Sequence, residues 1–398
     1  MKIAYLNAYG NGSTGKIVDN LRRVCQQNGI ETISIFSREH SSSTMPTIKC
    51  FNKAEFYLDA ICTRMFDNHG LNSKNNTKKI IKILKEFKPD IIHIHNLHGY
   101  WINYEKLFKF IRYNDIKVVW TFHDCWAFTG HCVHFDYISC DKWKEGCCRC
   151  GQLKEYPASL LLDGSKKNYK KKKKYFTSLN SDSMVVVTPS EWLGDKVRDS
   201  FFNKYDIKVI NNGVDLQKFR YTVSDKRDNI INKGYERIIL GVAGDWNDRK
   251  GLKYIIDAAN LRKNWAFVVI GRIDNNKKQN SNGNILYIDK TENVEDLAKW
   301  YSAADVFVNP TLEDTYPTTN LEAIACHTPV VTFPTGGSGE IIKKTGFGII
   351  TTGRTCESLI EGIERVFEKN IICNGYTEYI DAERKFYEYI DVYKKIIY

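Results

Sequence analysis

The sequence predicts an α/β protein with two domains, each built on a doubly wound parallel sheet. Short β-branched segments alternate with amphipathic helical segments from the first residue, a pattern typical of βαβ units. The alternation breaks at an Asn-Asn-Gly turn and restarts, and 398 residues suffice for two cores. We expect a first domain over residues 1–210, a second over 211–376, and a C-terminal helix over 377–398 that returns to the first domain.

The first domain alternates from its amino terminus. A glycine-rich turn separates the first strand from the first helix, and further strands and helices follow. In chain order the predicted elements are strand KIAYL, helix KIVDNLRRVCQQNG, strand ETISIF, helix NTKKIIKILKEFK, strand DIIHIH, a helix over 104–113, and strands KVVWTF and MVVVT.

The second domain repeats this pattern. Its predicted elements are strand RIILGVAG, a helix from Gly251, strands AFVVIG and NILYID, helix EDLAKWYSAA, strand DVFVNP, a helix from Thr318, and strands PVVTF and GIIT. Because open parallel sheets bind ligands outside the carboxyl ends of their strands, we expect the functional residues directly after strands.

Composition and charge narrow the function classes. No apolar run approaches the ~20 residues that span a bilayer, and the start lacks a secretory signal, so we expect a cytoplasmic protein. The net charge is +11, and seven lysines fall within Lys166–Lys174. This segment is either a solvated helix face or a patch that docks on anionic lipids and makes the protein peripheral on the inner face of the plasma membrane. No nucleic-acid motif accompanies the charge, so nucleic acid is not an expected partner.

The first loop, GNGSTGK, matches two phosphate-binding patterns incompletely. Gly10, Gly12 and Gly15 give GxGxxG, and the segment through Lys16 begins a P-loop. The P-loop requires Ser or Thr next, and Ile17 stands there, which argues against an NTPase. A glycine-rich turn remains, either at a helix N-terminus that approaches a phosphate or sugar, or present for packing alone.

Histidines follow two neighbouring strands. His93, His95 and His98 lie in and after DIIHIH, and His123-Asp124 follows KVVWTF. Burial inside the fold is the commoner role for any one histidine, and we expect it for His93. The His123-Asp124 pair is a better candidate for hydrogen bonding to a sugar hydroxyl or for stabilising developing charge.

Six of the twelve cysteines lie between Cys125 and Cys150. Cys132, Cys140, Cys147 and Cys150 read C-x7-C-x6-C-x2-C and are a candidate structural zinc site that would staple a loop over 125–150. The alternatives are free thiols or an adventitious disulfide. Four protein ligands would leave no open position for chemistry, so the zinc would be structural.

The second domain places charges where a nucleotide diphosphate could bind. Arg249 and Lys250 precede Gly251 at a helix start, where a cation can neutralise a diphosphate leaving group without magnesium. After the strand DVFVNP come the acids Glu313 and Asp314, and Glu322 lies on the next helix. The spacing between Glu313-Asp314 and Glu322 lets one carboxylate contact the transferred sugar while another binds the ribose hydroxyls.

The string DVFVNPTLEDTYPTTNLEAIACHTPVVTF resembles the signature of the retaining glycosyltransferases of family 4. In that signature a Glu, seven residues and a second Glu are followed by Ala and a Pro-Val-Val strand. Glu322-Ala323 and Pro329 to Val331 match it. The first Glu of the signature falls on Asp314, with Glu313 one place earlier, so either acid is a candidate for the sugar.

The resemblance extends over nearly the whole chain. The glycine-rich loop, the strand-end His123-Asp124, VVVTPSEWL, INNGVD and RKG appear in family order. One departure is Gly244, where many members carry Arg, and Arg249 is then the candidate second cation. The WAFTGHC segment is similar to a subgroup from polysaccharide and O-antigen gene clusters, which suggests a bacterial surface-glycan pathway such as lipopolysaccharide synthesis.

The resemblance implies a GT-B fold, with two Rossmann-like domains facing each other across a cleft, and metal-independent hexosyl transfer with retention. The donor would be a nucleotide-diphosphate sugar, the acceptor a lipid-linked glycan, and no cofactor would take part in catalysis. In the second domain the resemblance implies that Arg249 and Lys250 bind the diphosphate, that Glu322 binds the ribose and that Glu313 or Asp314 binds the sugar. The amides of Gly337 and Ser338 would form a phosphate cradle there. In the first domain His123 would contact sugar hydroxyls and developing charge, and Gly12, Gly15 and His98 would lie beside the acceptor and the phosphates. Two alternatives stay open, a nucleotide-sugar epimerase and a non-catalytic nucleotide-sugar-binding protein.

Overall fold

The computed structural model describes residues 1–38, 45–274, 276, 278, 283–369, 371 and 376–398. It divides into two compact units, the first formed by Met1–Ile210 with Phe386–Tyr398 and the second by Asn211–Lys385. No helix in these described ranges is long and apolar enough to cross a membrane.

The first unit contains a seven-stranded, wholly parallel sheet in the order β3-β2-β1-β4-β5-β6-β7. Its strands are β1 (Lys2–Tyr9), β2 (Glu31–Arg38), β3 (Thr47–Lys49), β4 (Ile91–Ile94), β5 (Lys117–Thr121), β6 (Met184–Thr188) and β7 (Asp206–Val209). Its helices are α1 (Gly12–Gln27), α2 (Lys53–Phe66), α3 (Lys74–Phe87), α4 (Tyr104–Tyr113), α5 (Ser165–Phe176) and α6 (Glu191–Arg198). The inner strands are buried apolar runs, as expected for a sheet covered on both faces.

The first unit differs from the sequence-based expectation at helix α1, helix α2 and strand β3. Helix α1 begins at Gly12, not at Lys16, so Gly12 and Gly15 belong to its first turn, whereas Gly10 precedes the helix. Helix α2 and the short strand β3 were not predicted. Helix α2 is also unusual for a surface helix, because its buried side chains, Asp59 and Thr63, are polar.

The second unit contains a six-stranded parallel sheet in the order β10-β9-β8-β11-β12-β13. Its strands are β8 (Arg237–Asp245), β9 (Trp265–Arg272), β10 (Ile285–Ile288), β11 (Val306–Asn309), β12 (Val330–Thr332) and β13 (Gly348–Ile350). Its helices are α7 (Lys226–Ile231), α8 (Leu252–Leu261), α9 (Val294–Ala303), α10 (Thr318–Ala325), α11 (Glu340–Thr345), α12 (Cys356–Lys369) and α13 (Thr377–Ile380). Separate apolar clusters cover the two faces of this sheet.

The C-terminal segment divides differently from the predicted 377–398 helix. Residues 377–385 stay with the second unit, where Val214 pairs with backbone atoms of Ile380 and Ala382. Only Phe386–Tyr398, the larger part of helix α14 (Ala382–Ile397), belongs to the first unit. The reason is chemical, because the tyrosines that fit the first sheet lie in the second half of that helix.

Buried hydroxyl groups attach this segment to the first sheet. The Tyr393 hydroxyl lies 3.0 Å from the Tyr5 hydroxyl and 2.6 Å from His93 Nδ1. His93 Nε2 in turn lies 2.9 Å from the Thr121 hydroxyl. Both ring nitrogens of His93 are therefore occupied inside the unit, and this histidine has the structural role expected for it.

Candidate active site

Both sheets reverse their strand order next to their first strand, and such switch points are where parallel sheets bind ligands. In the first unit the reversal falls between β1 and β4, and in the second between β8 and β11. The glycine-rich loop and His95 to His98 follow the strands of the first pair. Arg249-Lys250 and Glu313-Asp314 follow the strands of the second. Each unit thus has one edge where its candidate residues gather.

In the second unit, a single 3₁₀ turn carries both cations. Arg249 and Lys250 lie in the turn Asp248–Lys250, directly before α8, and Asn247 accepts a hydrogen bond from the Lys250 amide. Gly251 follows with φ +76°, and a Cβ there would lie 2.1 Å from the carbonyl oxygen of Pro310. Only glycine permits this approach of the turn to the end of β11.

Each cation pairs with one of the two adjacent acids. Arg249 Nη1 lies 3.4 Å from Glu313 Oε2, and Lys250 Nζ lies 2.8 Å from Asp314 Oδ2. The amide of Leu312 also donates to the Arg249 carbonyl over 2.7 Å. The turn and the acid-bearing loop are therefore held together by backbone and side-chain contacts.

The two acids differ in exposure, which separates their candidate roles. The side chain of Glu313 is 2% exposed, whereas that of Asp314 is 17% exposed. The cations are more open, at 40% for Arg249 and 35% for Lys250. Asp314 and the two cations can thus reach a ligand, while Glu313 is enclosed by protein.

Glu322 is held by a tyrosine that the sequence analysis did not single out. It lies in α10, half-buried, and its Oε2 accepts a 2.9 Å hydrogen bond from the hydroxyl of Tyr301 in α9. Burial raises the pKa of Tyr301 well above its usual value, and the neighbouring Glu322 adds to this. Tyr301 therefore stays a hydrogen-bond donor and fixes one carboxylate oxygen of Glu322.

The loop after β12 is organised around Asp314. Gly336 has φ +50°, and a Cβ there would lie 1.9 Å from the Asp314 carbonyl oxygen. The amide of Gly337 donates to that carbonyl over 3.4 Å, and the amide of Ser338 donates to Thr335 over 2.9 Å. Both amides thus have protein acceptors, and their part in a phosphate cradle stays a prediction.

The hydroxyl of Ser338 is a further polar group in this loop. Its side chain is fully buried, and its hydroxyl has no hydrogen-bond partner among the described residues. Its carbonyl accepts from Asn320, which also contacts Asn309 at the end of β11. A chain of amides thus connects the loop, α10 and β11.

In the first unit, histidines from two strands meet. His95 Nδ1 lies 2.9 Å from His123 Nε2, with the rings stacked. Burial lowers the pKa of His123 to about 4, although Asp124 opposes this. Burial also lowers the pKa of His95 well below its usual value. Both rings are therefore neutral at pH 7, and His95 and His123 present hydrogen-bonding groups without a charge.

Asp124 is paired with His98. Its Oδ2 lies 2.8 Å from His98 Nε2, and its Oδ1 accepts from the amide of Trp126 over 2.8 Å. Burial alone would raise the pKa of Asp124, but His98 and these hydrogen bonds outweigh it and lower the pKa to about 2. The other nitrogen of His98 lies 3.2 Å from the Tyr156 hydroxyl. The structure thus joins His98 to Asp124, which sequence spacing did not predict.

The glycines after β1 have two separate reasons to be glycine. Gly12 has φ +72° with open space around it, and Gly15 packs so closely that a Cβ would lie 2.9 Å from the Gly10 carbonyl carbon. Asn7, buried in β1, donates to the Tyr9 carbonyl and to Thr14 in the first turn of α1. The loop is thus compact, and Gly12 is the position at which its backbone is open.

The lysine-rich segment forms α5, with one internal lysine. Lys172 is buried, and its Nζ donates to the carbonyls of Trp126 and Thr129 over 2.6 and 3.0 Å. It also lies 3.7 Å from the centre of the Trp126 ring. Lys172 must be excluded from the predicted membrane patch, because its charge faces the loop that carries Trp126.

The four cysteines of the predicted zinc site lie in this same loop region. Cys132 and Cys150 share a hydrogen bond, which raises the pKa of Cys132 and lowers that of Cys150. Cys147 Sγ accepts from the amide of Gly130 over 3.1 Å. None of these four cysteines forms a disulfide, and within the described ranges no group of three or more His, Cys, Asp or Glu side chains is arranged to hold a metal. The zinc site stays a prediction.

Comparison with solved structures defines the class of protein. The structure of HepE from Anabaena in complex with UDP-glucose covers 99% of this chain, and this chain covers 99% of HepE, with a TM-score of 0.65 at 14% identity. The two parallel-sheet units have the GT-B fold of such glycosyltransferases.

Comparison of sequences defines the family. Residues 14–218 match the family described as Glycosyltransferase Family 4, and residues 237–369 match Glycosyl transferases group 1. The first match covers more than half of the chain, and the chain belongs to glycosyltransferase family 4.

Two relatives illustrate the family. A protein of Escherichia coli K12, provisionally named a colanic acid biosynthesis glycosyl transferase, is 24% identical over 85% of this chain and 77% of its own length. The UDP-Gal:α-D-GlcNAc-diphosphoundecaprenol α-1,3-galactosyltransferase of E. coli is 24% identical over 44% of this chain and 49% of its own length.

Proposed function

We propose that this glycosyltransferase moves a hexosyl group from a nucleotide-diphosphate sugar to a lipid-linked glycan, with retention, in bacterial surface polysaccharide synthesis. The observation that carries the proposal is the set of two cations and two acids at the switch point of the second sheet. The names of the two E. coli relatives support the pathway and the acceptor class. The UDP-glucose bound to HepE supports the donor class.

Arg249 and Lys250 stabilise the diphosphate as it leaves. Both are more than a third exposed and lie beside β11, where a donor would enter the switch point. Two fixed cations supply the charge neutralisation that a metal ion supplies in other transferases. We therefore propose catalysis without a metal or another cofactor.

The acids take different parts of the donor. Glu322, held on one oxygen by Tyr301, binds the ribose hydroxyls. Asp314 contacts the transferred sugar because it is the more open of the adjacent acids, whereas the enclosed Glu313 orients Arg249. Retention then follows a front-face route through an oxocarbenium-like transition state, in which the departing phosphate takes the acceptor proton and no protein nucleophile is needed.

The first unit binds neutral groups. His123 hydrogen-bonds sugar hydroxyls as a neutral ring, in agreement with its lowered pKa of about 4. The open backbone at Gly12 and the His98–Asp124 pair border the acceptor and the phosphates, with Gly15 allowing the close packing of that loop. Because the acceptor is lipid-linked, the reaction takes place at a membrane surface.

Nucleotide release tests this proposal. Purified protein is incubated in EDTA with UDP-, GDP- and ADP-sugars, with and without undecaprenyl-diphosphate glycans, and released nucleotide is measured. We expect acceptor-dependent release from one donor, lost in Glu322→Ala and kept in Glu361→Ala, an exposed acid on α12. The anomeric configuration of the product, read by NMR, tests retention.

Other outcomes identify the alternatives. Conversion of a nucleotide sugar into an isomer without acceptor would indicate an epimerase. Donor binding without turnover, in folded protein and with every acceptor, would indicate a binding protein. Release that needs added magnesium and stops in EDTA would contradict metal independence.

A further inference from the structure

Helix α2 exposes its apolar side and buries its polar side. The surface helix of a globular protein normally does the opposite. The buried side chains of α2 are Asp59 and Thr63, while Leu58 and Ile61 are 58% and 54% exposed. Tyr57, Met65 and Phe66 are also exposed. These apolar residues recur at helical spacing and form one continuous face.

Polar contacts fix this orientation. Asp59 Oδ2 accepts hydrogen bonds from the amide and hydroxyl of Ser73 over 3.3 and 2.5 Å. Its Oδ1 accepts from Asn72 over 3.0 Å and from Thr63 over 3.4 Å. Rotating α2 to bury its apolar face would break these hydrogen bonds of Asp59. The exposed apolar face is therefore a stable feature of the fold.

A second apolar element lies against the end of α2. The loop Leu160–Leu162 exposes its three leucines by 71%, 68% and 55%. The Leu160 amide donates to the Arg64 carbonyl over 2.7 Å, and the Ser159 hydroxyl donates to the Leu162 carbonyl over 2.7 Å. The leucines are thus held outward next to the last turn of α2.

A basic cavity adjoins these leucines. It has a volume of about 830 Å³, and Phe66 and Leu162 lie at its border. Its lining includes two acids, Glu105 and Asp163, and five lysines, Lys74, Lys106, Lys109, Lys167 and Lys171. Asp67, the residue after α2, accepts from the Gly164 amide over 2.9 Å and so ties α2 to the start of the lysine helix α5. The apolar and basic parts are therefore built as one surface.

We propose that this surface docks the first unit on an anionic lipid bilayer. The leucine–lysine surface, as we name it, comprises the exposed face of α2, the loop Leu160–Leu162 and the lysines of the cavity. The apolar side chains enter the interface between headgroups and acyl chains, and the lysines hold lipid phosphates. Charge complementarity favours this occupant, because lysines surrounding exposed leucines match phosphates above an apolar layer. Docking needs neither donor nor acceptor and so goes beyond the proposed function.

Vesicle flotation tests the docking. The full-length protein is mixed with vesicles of phosphatidylcholine alone or with an equal amount of phosphatidylglycerol, at low and high salt. We expect flotation with the anionic vesicles only, weakened by salt. The pairs Ile61→Ser with Leu161→Ser, and Lys167→Gln with Lys171→Gln, should each weaken binding at least about tenfold.

Matched variants lie on the exposed surface of the second unit. Leu261→Ser with Leu286→Ser, and Lys253→Gln with Lys290→Gln, remove exposed side chains of the same types and should leave flotation unchanged. Equal loss in these controls, or no flotation of wild type, would overturn the proposal. A dimer that Leu161→Ser dissociates, without vesicle binding, would show that a second copy covers the surface and would also overturn it. Nucleotide release without vesicles stays intact if docking alone fails.

Discussion

The two switch points differ in the chemistry of the side chains that they present to a ligand. At the second, four charged groups are paired across 2.8 and 3.4 Å, and three of them remain open to solvent. At the first, the imidazoles of His95 and His123 are stacked and kept neutral by burial, and the carboxylate of Asp124 lies 2.8 Å from His98 Nε2. A diphosphate needs charge, whereas sugar hydroxyls need hydrogen bonds. The contrast between the units corresponds to that difference between leaving group and sugar.

The largest effect should come from removing a cation of the second unit. We expect Lys250→Ala to lower kcat/KM by about 10²–10³-fold, because a fixed charge at the leaving group acts mainly in the transition state. Lys253→Ala, at an exposed lysine in the first turn of α8, is the control. If His123→Ala costs more than Lys250→Ala, the assignment of charge chemistry to the second unit is wrong.

Zinc in the cysteine-rich loop would weaken this contrast between the two units, because it would place a strongly charged group in the first unit. We expect about one zinc per chain by mass spectrometry of metals, and a several-kcal/mol loss of unfolding free energy in Cys147→Ser. The neighbouring Cys148 is exposed, and Cys148→Ser should change neither quantity. Zinc far below one per chain in protein purified without chelators would reject the site.

The adjacent acids of the second unit should separate in their effects. Asp314→Asn should lower kcat by about tenfold to a hundredfold with little change in stability, because Asp314 faces the ligand side. Glu313→Gln should instead lower the free energy of unfolding by about 1–3 kcal/mol, because it weakens an enclosed partner of Arg249. Urea unfolding and steady-state kinetics measure the two quantities. The reverse pattern would move the sugar contact to Glu313.

The smallest effect concerns acid stability. His93, His95 and His123 have pKa values below the usual 6.5, so the unfolded chain takes up protons first as pH falls. The free energy of unfolding should therefore drop as the pH falls from about 6.5 towards 4. His131 opposes this, because its hydrogen bond to Asp67 outweighs burial and raises its pKa.

This loss should appear in the first unit. Trp120 reports on the folding of this unit, because its indole donates to the His95 carbonyl over 3.1 Å. The sequence from 211 to 385 contains a single histidine, His327. We expect the native ¹⁹F NMR signal of Trp120, in protein labelled with 5-fluorotryptophan, to be lost at lower urea at pH 5 than at pH 7. A midpoint independent of pH would show that the imidazoles are not neutral in the folded state.

The second unit's edge was predictable from sequence because its residues are local. Arg249-Lys250-Gly251 follows one strand and Glu313-Asp314 follows the next, and parallel strands bring their carboxyl ends to the same edge. The pairing of each cation with one acid follows from that edge. The role of Tyr301 could not be predicted from the sequence, because its hydroxyl reaches Glu322 from a separate helix and the two residues have no recognisable spacing.

The first unit's edge was less predictable because distant segments build it. The partner of His98 is Asp124 and its second neighbour is Tyr156, which lies in an irregular loop without periodicity. Lys172 reads as one more surface lysine in a run of lysines, and only its contacts with Trp126 and Thr129 show that it is internal. A run of charged residues usually marks a solvated face, so the sequence does not show that Lys172 is an exception.

The sequence alone determined the two-sheet α/β class, the order of most elements, and the residues that stand after strands, because hydrophobic period and glycine turns are local properties. The tertiary structure decided which of those residues touch, which imidazoles are neutral, which acid stays open, and where the C-terminal segment divides. Those outcomes depend on burial and on contacts between segments far apart in the chain. Helix α2 shows the difference most clearly, since its apolar pattern is visible in sequence but its outward direction is set by Asp59.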